Sequence, residues 1–292
     1  MSDASLPDGT SAVIVGLARD CARDLPAALR NLETMAACFA RAAFVIAEND
    51  SADGTAEILG DFAARRGDAR LLNFDGIDKR LPQWTRRLAF LRNQCLAAIR
   101  ADARLRASDY LIIADLDDAM SEPLDRAAFV RALEFLAAEP DRAGVFANCR
   151  GPYYDLWALR HPALCPGDVW EEAFDYALAR GADDATAYAA TVARRMLTIA
   201  TSDPPLAVAS AFGGLGIYKL RFIQDAVYKG FKPKEIAKNG LRRAIKWQVC
   251  EHVAFNEAIG ARGGKLFILP FLINRRIESV DFVNYFHRLL VF

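Results

Sequence analysis

The chain has 292 residues, 53% of them hydrophobic and 25% charged, with Lys+Arg and Asp+Glu equal at 37 each. Zero net charge sets up no molecule-wide field for nucleic acid or an anionic membrane, so any anion must be held by local placement of charge. The six cysteines, Cys21, Cys38, Cys95, Cys149, Cys165 and Cys250, lack C-x-x-C spacing, which argues against a zinc knuckle, a thioredoxin site or a disulfide framework and for free thiols in a reducing compartment. The leader MSDASLPDGT has neither the basic nor the apolar region of a signal peptide. No window reaches the roughly 18 apolar residues of a membrane span. The expected location is the cytosol, with peripheral contact at the inner membrane face as an option.

Residues 11–17 (SAVIVGL) read as a strand buried on both faces. Asp24 or Cys21 then opens a helix with Leu25, Leu29, Leu32, Met35 and Ala36 at helical spacing. Residues 44–47 form a second strand, which runs into Glu48-Asn49-Asp50-Ser51-Ala52-Asp53-Gly54-Thr55 and a helix carrying Ile58 and Phe62. Strand, helix and strand in this succession form a βαβ unit, so the sheet should be parallel. Residues 71–74 give a short third strand, 84–100 a helix, and 111–114 (LIIA) a fourth buried strand. The first 120 residues thus read as a nucleotide-fold half. It lacks both G-x-G-x-x-G and a P-loop, which excludes an ordinary dinucleotide or ATP site.

The fourth strand ends in Asp115-Leu116-Asp117-Asp118, at the carboxyl end of the sheet where open α/β folds hold ligands. Side chains two apart in an extended chain leave on the same side, which pairs Asp115 with Asp117. Hard oxygen donors grouped this way suit Mg²⁺ or Mn²⁺ that shares its shell with a substrate's phosphates. The competing reading of a lone D-x-D is a strand end whose solvated acids start a turn. Glu48, Asn49 and Asp53 at a strand-to-helix turn offer acceptors for base and ribose donors. Asp50, Ser51 and Asp53 serve equally as turn and capping residues. Arg92 fits a diphosphate, or a solvated helix face beside Arg86 and Arg87.

The second half continues with a helix over 125–138 and a strand over 144–148. An aromatic and charged run follows, containing Tyr153, Tyr154, Asp155, Trp157, Arg160 and His161. Residues 170–196 are expected to be largely helical. Residues 204–218 turn to small side chains around Gly213-Gly214, where glycine permits positive φ and close approach to a ligand or simply a tight turn. A basic stretch holds Lys229, Lys232, Lys234, Lys238, Arg242, Arg243 and Lys246 against one acid, Glu235. It is either a solvated face or a surface for anionic lipid or a phosphate-linked acceptor. A helix over 247–259, a strand over 266–272 and an apolar tail from Phe282 to Phe292 that packs on the domain complete the expected layout. One domain over 1–292 is expected, divided into halves at 11–120 and 121–292.

Three motifs fall in a fixed order: ENDSADGT at 48–55, LRN at 91–93 and DLDD at 115–118. Their succession resembles the nucleotide-sugar half of the GT-A glycosyltransferases. PYYDLWALR at 152–160 is similar to the Y-D-x-W-x-x-R element of the cryptococcal capsule mannosyltransferase family. SAFGGLGIY at 210–218 resembles the glycine-rich acceptor loop of GT-A enzymes. The resemblance implies an α/β GT-A (nucleotide-diphospho-sugar transferase) fold with a mostly parallel central sheet flanked by helices and a smaller acceptor-side half. It further implies transfer of a hexose, mannose from GDP-mannose being the named candidate, from a nucleotide-diphosphate sugar to a glycan or lipid-linked acceptor. Mn²⁺ or Mg²⁺ is the expected cofactor, with Asp117, Asp115 and His252 (or His287) as metal ligands. Glu48, Asn49, Asp53, Arg92, Asp115, Gly213 and Gly214 are the expected nucleotide-sugar contacts. Glu251 and Asp155 are the candidate catalytic carboxylates, and Tyr154, Trp157 and Arg160 face the acceptor.

Two other readings stay open. A nucleotidyltransferase should carry a glycine-rich, basic loop after the first strand, where Gly16-Leu17-Ala18-Arg19-Asp20 has a single glycine. A non-catalytic glycan- or nucleotide-binding relative has no need of an intact DLDD.

Overall fold

The structure, a computed structural model, describes residues 9–276 apart from 121, 239 and 240. The apolar tail and His287 therefore lie outside the described residues. In chain order the first half runs β1 (Ser11–Ala18), α1 (Leu25–Ala36), β2 (Arg41–Glu48), α2 (Thr55–Arg65), β3 (Ala69–Asn73), α3 (Ile77–Arg80), α4 (Trp84–Ala101) and β4 (Tyr110–Asp115). The second runs α5 (Arg126–Ala138), β5 (Arg142–Arg150), α6 (Val169–Arg180), α7 (Asp184–Ala190), β6 (Leu206–Val208), β7 (Leu215–Lys219), β8 (Phe231–Lys238), β9 (Leu241–Gln248), α8 (Glu251–Gly260) and β10 (Lys265–Arg276).

The main sheet has the order β3-β2-β1-β4-β7-β5-β10-β6. β1 pairs in parallel with β2 and β4, β2 with β3, and β5 with β10. β7 is antiparallel to both β4 and β5, and β6 is antiparallel to β10. The sheet is therefore mostly parallel, with β7 an inverted strand in its middle.

Alternation along the strands builds two cores, one on each face. Ile14, Phe44, Ile46 and Ile112 point to the side covered by α1, α2 and α5, where Leu25, Leu29, Leu32, Met35, Phe62 and Phe129 are buried. Val13, Val15, Val45, Leu111 and Ile113 point to the side covered by α4 and α8, onto Leu91, Leu96, Ile99, Phe255 and Ile259. Each such side chain contributes about 1.5–3 kcal/mol on burial. A one-residue slip of β1 would exchange its two faces, so the register is fixed by both cores.

Three expected boundaries change. The helical stretch over 170–196 breaks after α6, because Gly181 adopts a left-handed φ of 62° at its C-cap and Asp183 caps α7 by accepting from the Thr186 N–H. The basic stretch is a hairpin, β8 against β9, separate from the main sheet. The expected helix from 247 begins instead at Glu251, since Trp247 and Gln248 are still paired in β9. Among the described residues no helix is long and apolar enough to cross a membrane.

The chain steps outward from β1 to β2 to β3, then returns past β1 to β4. That reversal opens a crevice between the carboxyl ends of β1 and β4. The site lies there.

Candidate functional site

A cleft of about 630 Å³ occupies this switch point, a volume ordinary for a small-molecule site. Its floor is Leu17, Ala18 and Arg19 from the end of β1 with Asp115, Leu116 and Asp117 from the end of β4. Helix α4 supplies Trp84, Arg87 and Arg92, the 154–157 segment supplies Tyr154, Asp155 and Trp157, and the start of α8 supplies Glu251 and His252. Nine of the residues singled out from the sequence thus share one cavity: Asn49, Arg92, Asp115, Asp117, Tyr154, Asp155, Trp157, Glu251 and His252. Glu48, Asp53, Arg160, Gly213 and Gly214 do not line it.

At the inner wall, Arg92 is only 3% exposed. Its Nη2 donates to Asp115 Oδ1 and its Nε to Glu251 Oε1, each at 3.0 Å. One cation therefore serves two carboxylates. Burial pushes the Asp115 carboxyl up to about 7 against the pull of Arg92, with Asp117 adding to the rise. The same two acids hold the Arg92 guanidinium firmly charged despite its burial. Arg92 is consequently occupied by protein; of its own nitrogens Nη1 is the buried one left without a hydrogen-bond partner among the described residues.

Asp117 sits two residues beyond the end of β4, where its Oδ1 accepts from the Ala119 N–H at 3.0 Å. Burial first, and then Asp118, raise its carboxyl above the usual range. Arg275 from the end of β10 donates to Asp118 at 2.7 Å and lies over the Tyr154 ring at 4.8 Å. Asp118 is thereby turned toward Arg275.

The double glycine closes the region behind β4. Gly213 and Gly214 have φ of 66° and 82°, and a Cβ on Gly213 would stand 2.6 Å from the Ala147 carbonyl oxygen. The Gly214 carbonyl accepts from the Asp115 N–H at 3.0 Å, so this turn fixes the end of the acidic strand. Asp155 Oδ2 accepts from the Gly213 N–H at 2.8 Å and its Oδ1 from the Ala158 N–H at 3.2 Å. Both of its oxygens are engaged by backbone, and burial raises its carboxyl.

The acidic loop after β2 is largely self-bonded. Glu48 is buried and accepts from the Ser51 N–H at 3.0 Å. Asp53 accepts from Thr55 Oγ1 at 2.7 Å and from the Ala22 N–H at 2.9 Å, which hold its carboxyl below the usual range. Asn49, at the cleft, donates to Asp50 Oδ2 at 3.0 Å. Gly54, at φ 92°, makes the turn into α2.

One wall of the cleft is aromatic. Trp84 and Trp157 are 5.9 Å apart between ring centroids, and Trp157 Nε1 donates to Asp168 Oδ2 at 3.0 Å. Arg160 lies behind this wall, 3.5 Å from the same Asp168. His252 stacks on Phe212 at 3.8 Å with neither ring nitrogen hydrogen-bonded among the described residues. Burial, aided by Arg92, pushes its imidazole well below the usual value, which favours the neutral ring, and its Nε2 lies 3.6 Å from Glu251 Oε1.

Trp84, Arg87, Arg19 and Phe212 also line the cleft and were not singled out from the sequence. The signal for Arg19 is its position just after the first strand, as the acids lie at and just after the end of the fourth. Arg87 carries its own signature, a guanidinium lowered by burial and by the neighbouring Arg19.

Among the described residues no cluster of three or more His, Cys, Asp or Glu side chains forms a cage for a metal ion. The donor set instead suits a hard cation that keeps waters and takes further oxygens from substrate phosphates. Asp117, with a carboxyl destabilised as an anion by burial and by Asp118, is the group such a cation would relieve.

The sheet order, with its inverted β7 and its acidic strand end at the switch point, is the GT-A architecture. A mannosyltransferase from Pyrobaculum calidifontis, solved with GDP-mannose and Mn²⁺, superposes with a TM-score of 0.51 at 14% identity, covering 96% of this chain and 61% of that one. S. aureus TarS residues 1–349 match with a TM-score of 0.46 at 11% identity, covering 89% and 58%. The same protein with UDP-GlcNAc gives 0.45 at 9%, covering 93% and 60%. The chain spans about three fifths of the length of these structures. No family model matches it, and no curated protein does.

Proposed function

We propose that this chain is a divalent-metal-dependent glycosyltransferase that moves a hexose from a nucleoside-diphosphate sugar to a hydroxyl of a glycan or lipid-linked acceptor. The observation that carries the reading is the placement of Asp115 and Asp117 at the carboxyl end of β4, on the floor of a cleft at the switch point of a GT-A sheet. The Pyrobaculum relative in fold carries GDP-mannose and Mn²⁺, and the 152–160 motif resembles the Y-D-x-W-x-x-R element of capsule mannosyltransferases; the mannosyl donor of this reading rests on these two likenesses.

In this reading Asp117 would hold the cation, His252 would be the nitrogen donor if its ring turned toward it, and Asn49 would face the nucleoside. When bound, the metal neutralises charge on the departing diphosphate. Arg92 keeps Asp115 and Glu251 in place, acting through them as a positioning residue. Glu251 accepts the proton of the acceptor hydroxyl as its oxygen bonds to the anomeric carbon, while the bond from that carbon to the diphosphate breaks and its electron pair leaves with the nucleotide. Asp155 holds the Gly213-Gly214 turn through the Gly213 N–H. Trp84, Trp157 and Tyr154 give sugar faces an apolar platform.

Transfer assays with GDP- and UDP-sugars in Mn²⁺ test the proposal. Turnover that disappears in Asp117→Asn with folding retained supports it; full turnover in that variant removes Asp117 from the mechanism.

A further inference from the structure

The basic hairpin has two unlike faces. On one, Lys232 and Lys234 reach Glu171 at 2.5 and 2.9 Å, Lys234 also reaches Asp175 at 2.8 Å, and Trp247 packs on Phe174 at 4.8 Å. That face is anchored on α6, where Lys232 and Lys234 are ion-paired. On the other face the pairing places Phe231 opposite Gln248, Pro233 opposite Lys246, Glu235 opposite Ala244 and Ala237 opposite Arg242. Phe231, Pro233, Lys246 and Arg242 are exposed there.

Among the described residues Val227 and Phe231, each 40% exposed, are the large apolar side chains left open to solvent. They fall on the same stripe, because exposure alternates through Val227, Lys229 and Phe231 while Tyr228 and Gly230 are buried. Phe231 sits between cations, with Arg86 at 5.8 Å and Lys246 at 5.5 Å from its ring. Lys229, Arg86, Arg242 and Lys246 are all exposed, and within the β8–β9 pairing this face carries one acid, Glu235. The stripe is held beside the cleft: Thr85 Oγ1 donates to the Gly230 carbonyl at 2.6 Å, and the neighbouring Trp84 and Arg87 are cleft walls.

We infer that this face of the hairpin docks on an anionic lipid surface, with Phe231 and Val227 entering the interface and Lys229, Arg86, Arg242 and Lys246 on the headgroups. A soluble polyanion would complement the cations but give nothing for the two exposed apolar side chains, whereas a bilayer interface complements both. The inference rests on the surface alone, independently of the transfer reading, and vesicle binding reads it without turnover.

The test is sedimentation of the full chain with vesicles of equal parts phosphatidylglycerol and phosphatidylcholine, and with phosphatidylcholine alone. The expected result is binding to the anionic vesicles that falls roughly fivefold for each cation removed in Lys246→Ala and Lys229→Ala. Phe231→Ser should weaken it at unchanged charge, and Lys232→Ala, on the anchored face, should leave it within twofold. Thermal unfolding confirms that each exposed-site variant is folded, and added salt should weaken binding of the unmodified protein. No binding to anionic vesicles, or equal binding to the neutral ones, overturns the inference. Loss with Lys246→Ala but none with Phe231→Ser also overturns it, and points to a soluble polyanion.

Discussion

Replacing Arg92 by Met should cost the protein more than any other single change at the cleft wall. Arg92 is buried, and so is Glu251, while Asp115 is largely enclosed; the two charge-assisted bonds at 3.0 Å are the counter-charge for both acids. Stripping the cation strands one or two carboxylates, a loss measured at about 3–5 kcal/mol when one member of a buried pair is removed. At roughly 2–4 °C per kcal/mol for a chain near this size, the melting midpoint should fall by roughly 6–20 °C. Arg92→Lys should recover only part of this, because a single ammonium cannot reproduce a fork that uses Nε for one acid and Nη2 for the other. The assay is urea unfolding of the metal-free protein at pH 8, above the value of about 7 to which burial raises Asp115, so that Asp115 is ionised in the unmodified protein. Arg92→Met/Glu251→Gln should be more stable than the sum of the single losses by roughly 0.5–3 kcal/mol. A loss below about 1 kcal/mol in Arg92→Met, or strict additivity in the double variant, would refute the shared-cation account.

Further outcomes follow from the same geometry. Gly213→Ala places a Cβ 2.6 Å from the Ala147 carbonyl oxygen at a φ of 66°, so it should destabilise by roughly 1–3 kcal/mol in urea unfolding and weaken nucleotide binding through the shift at Asp115; unchanged stability contradicts the strained-turn reading. Asp53 has its folded value lowered by Thr55 and backbone donors, so its stabilisation is present above its ordinary value of about 4 and is lost as pH falls through the lowered one. Asp53→Asn should therefore flatten the acid end of the stability–pH curve, and an unchanged acid limb would count against it. Burial raises Cys21 to about 11 and Cys95 to about 12, so a thiol reagent at pH 8 should label both only on unfolding; rapid labelling of the native protein contradicts that burial.

The first half was legible because its signals are local. β1 and β4 are continuous apolar runs, and α1 carries its buried Leu25, Leu29, Leu32 and Met35 at helical spacing, so run and period pointed the same way. β7 is different. It has five residues, follows the double glycine, and is a strand because it completes the gap between β4 and β5, a tertiary requirement that short sequence windows do not carry. The β8–β9 hairpin was hidden by its charge, since lysines anchored on α6 look in sequence like solvated ones. In the site, the acidic strand end and the aromatic 154–157 segment were readable from residue type. The partnering of Arg92 was not, because Glu251 lies 159 positions away in sequence. Glu48 and Asp53 show the converse: carboxylates read as ligand acceptors are bonded to their own loop and to the turn before α1.

The central claim, a nucleoside-diphosphate-sugar site built on Asp117, is tested most directly by thermal shift of the full chain and of Asp117→Asn with GDP, UDP, CMP and ATP, each with and without Mn²⁺. A nucleotide at one hundred times its Kd stabilises by about 2.7 kcal/mol, a shift of roughly 5–10 °C for a chain of this size. The account predicts a Mn²⁺-dependent shift of the unmodified protein with GDP or UDP that is absent in Asp117→Asn. A shift with ATP alone, with no nucleotide at all, or of equal size in the variant would contradict it.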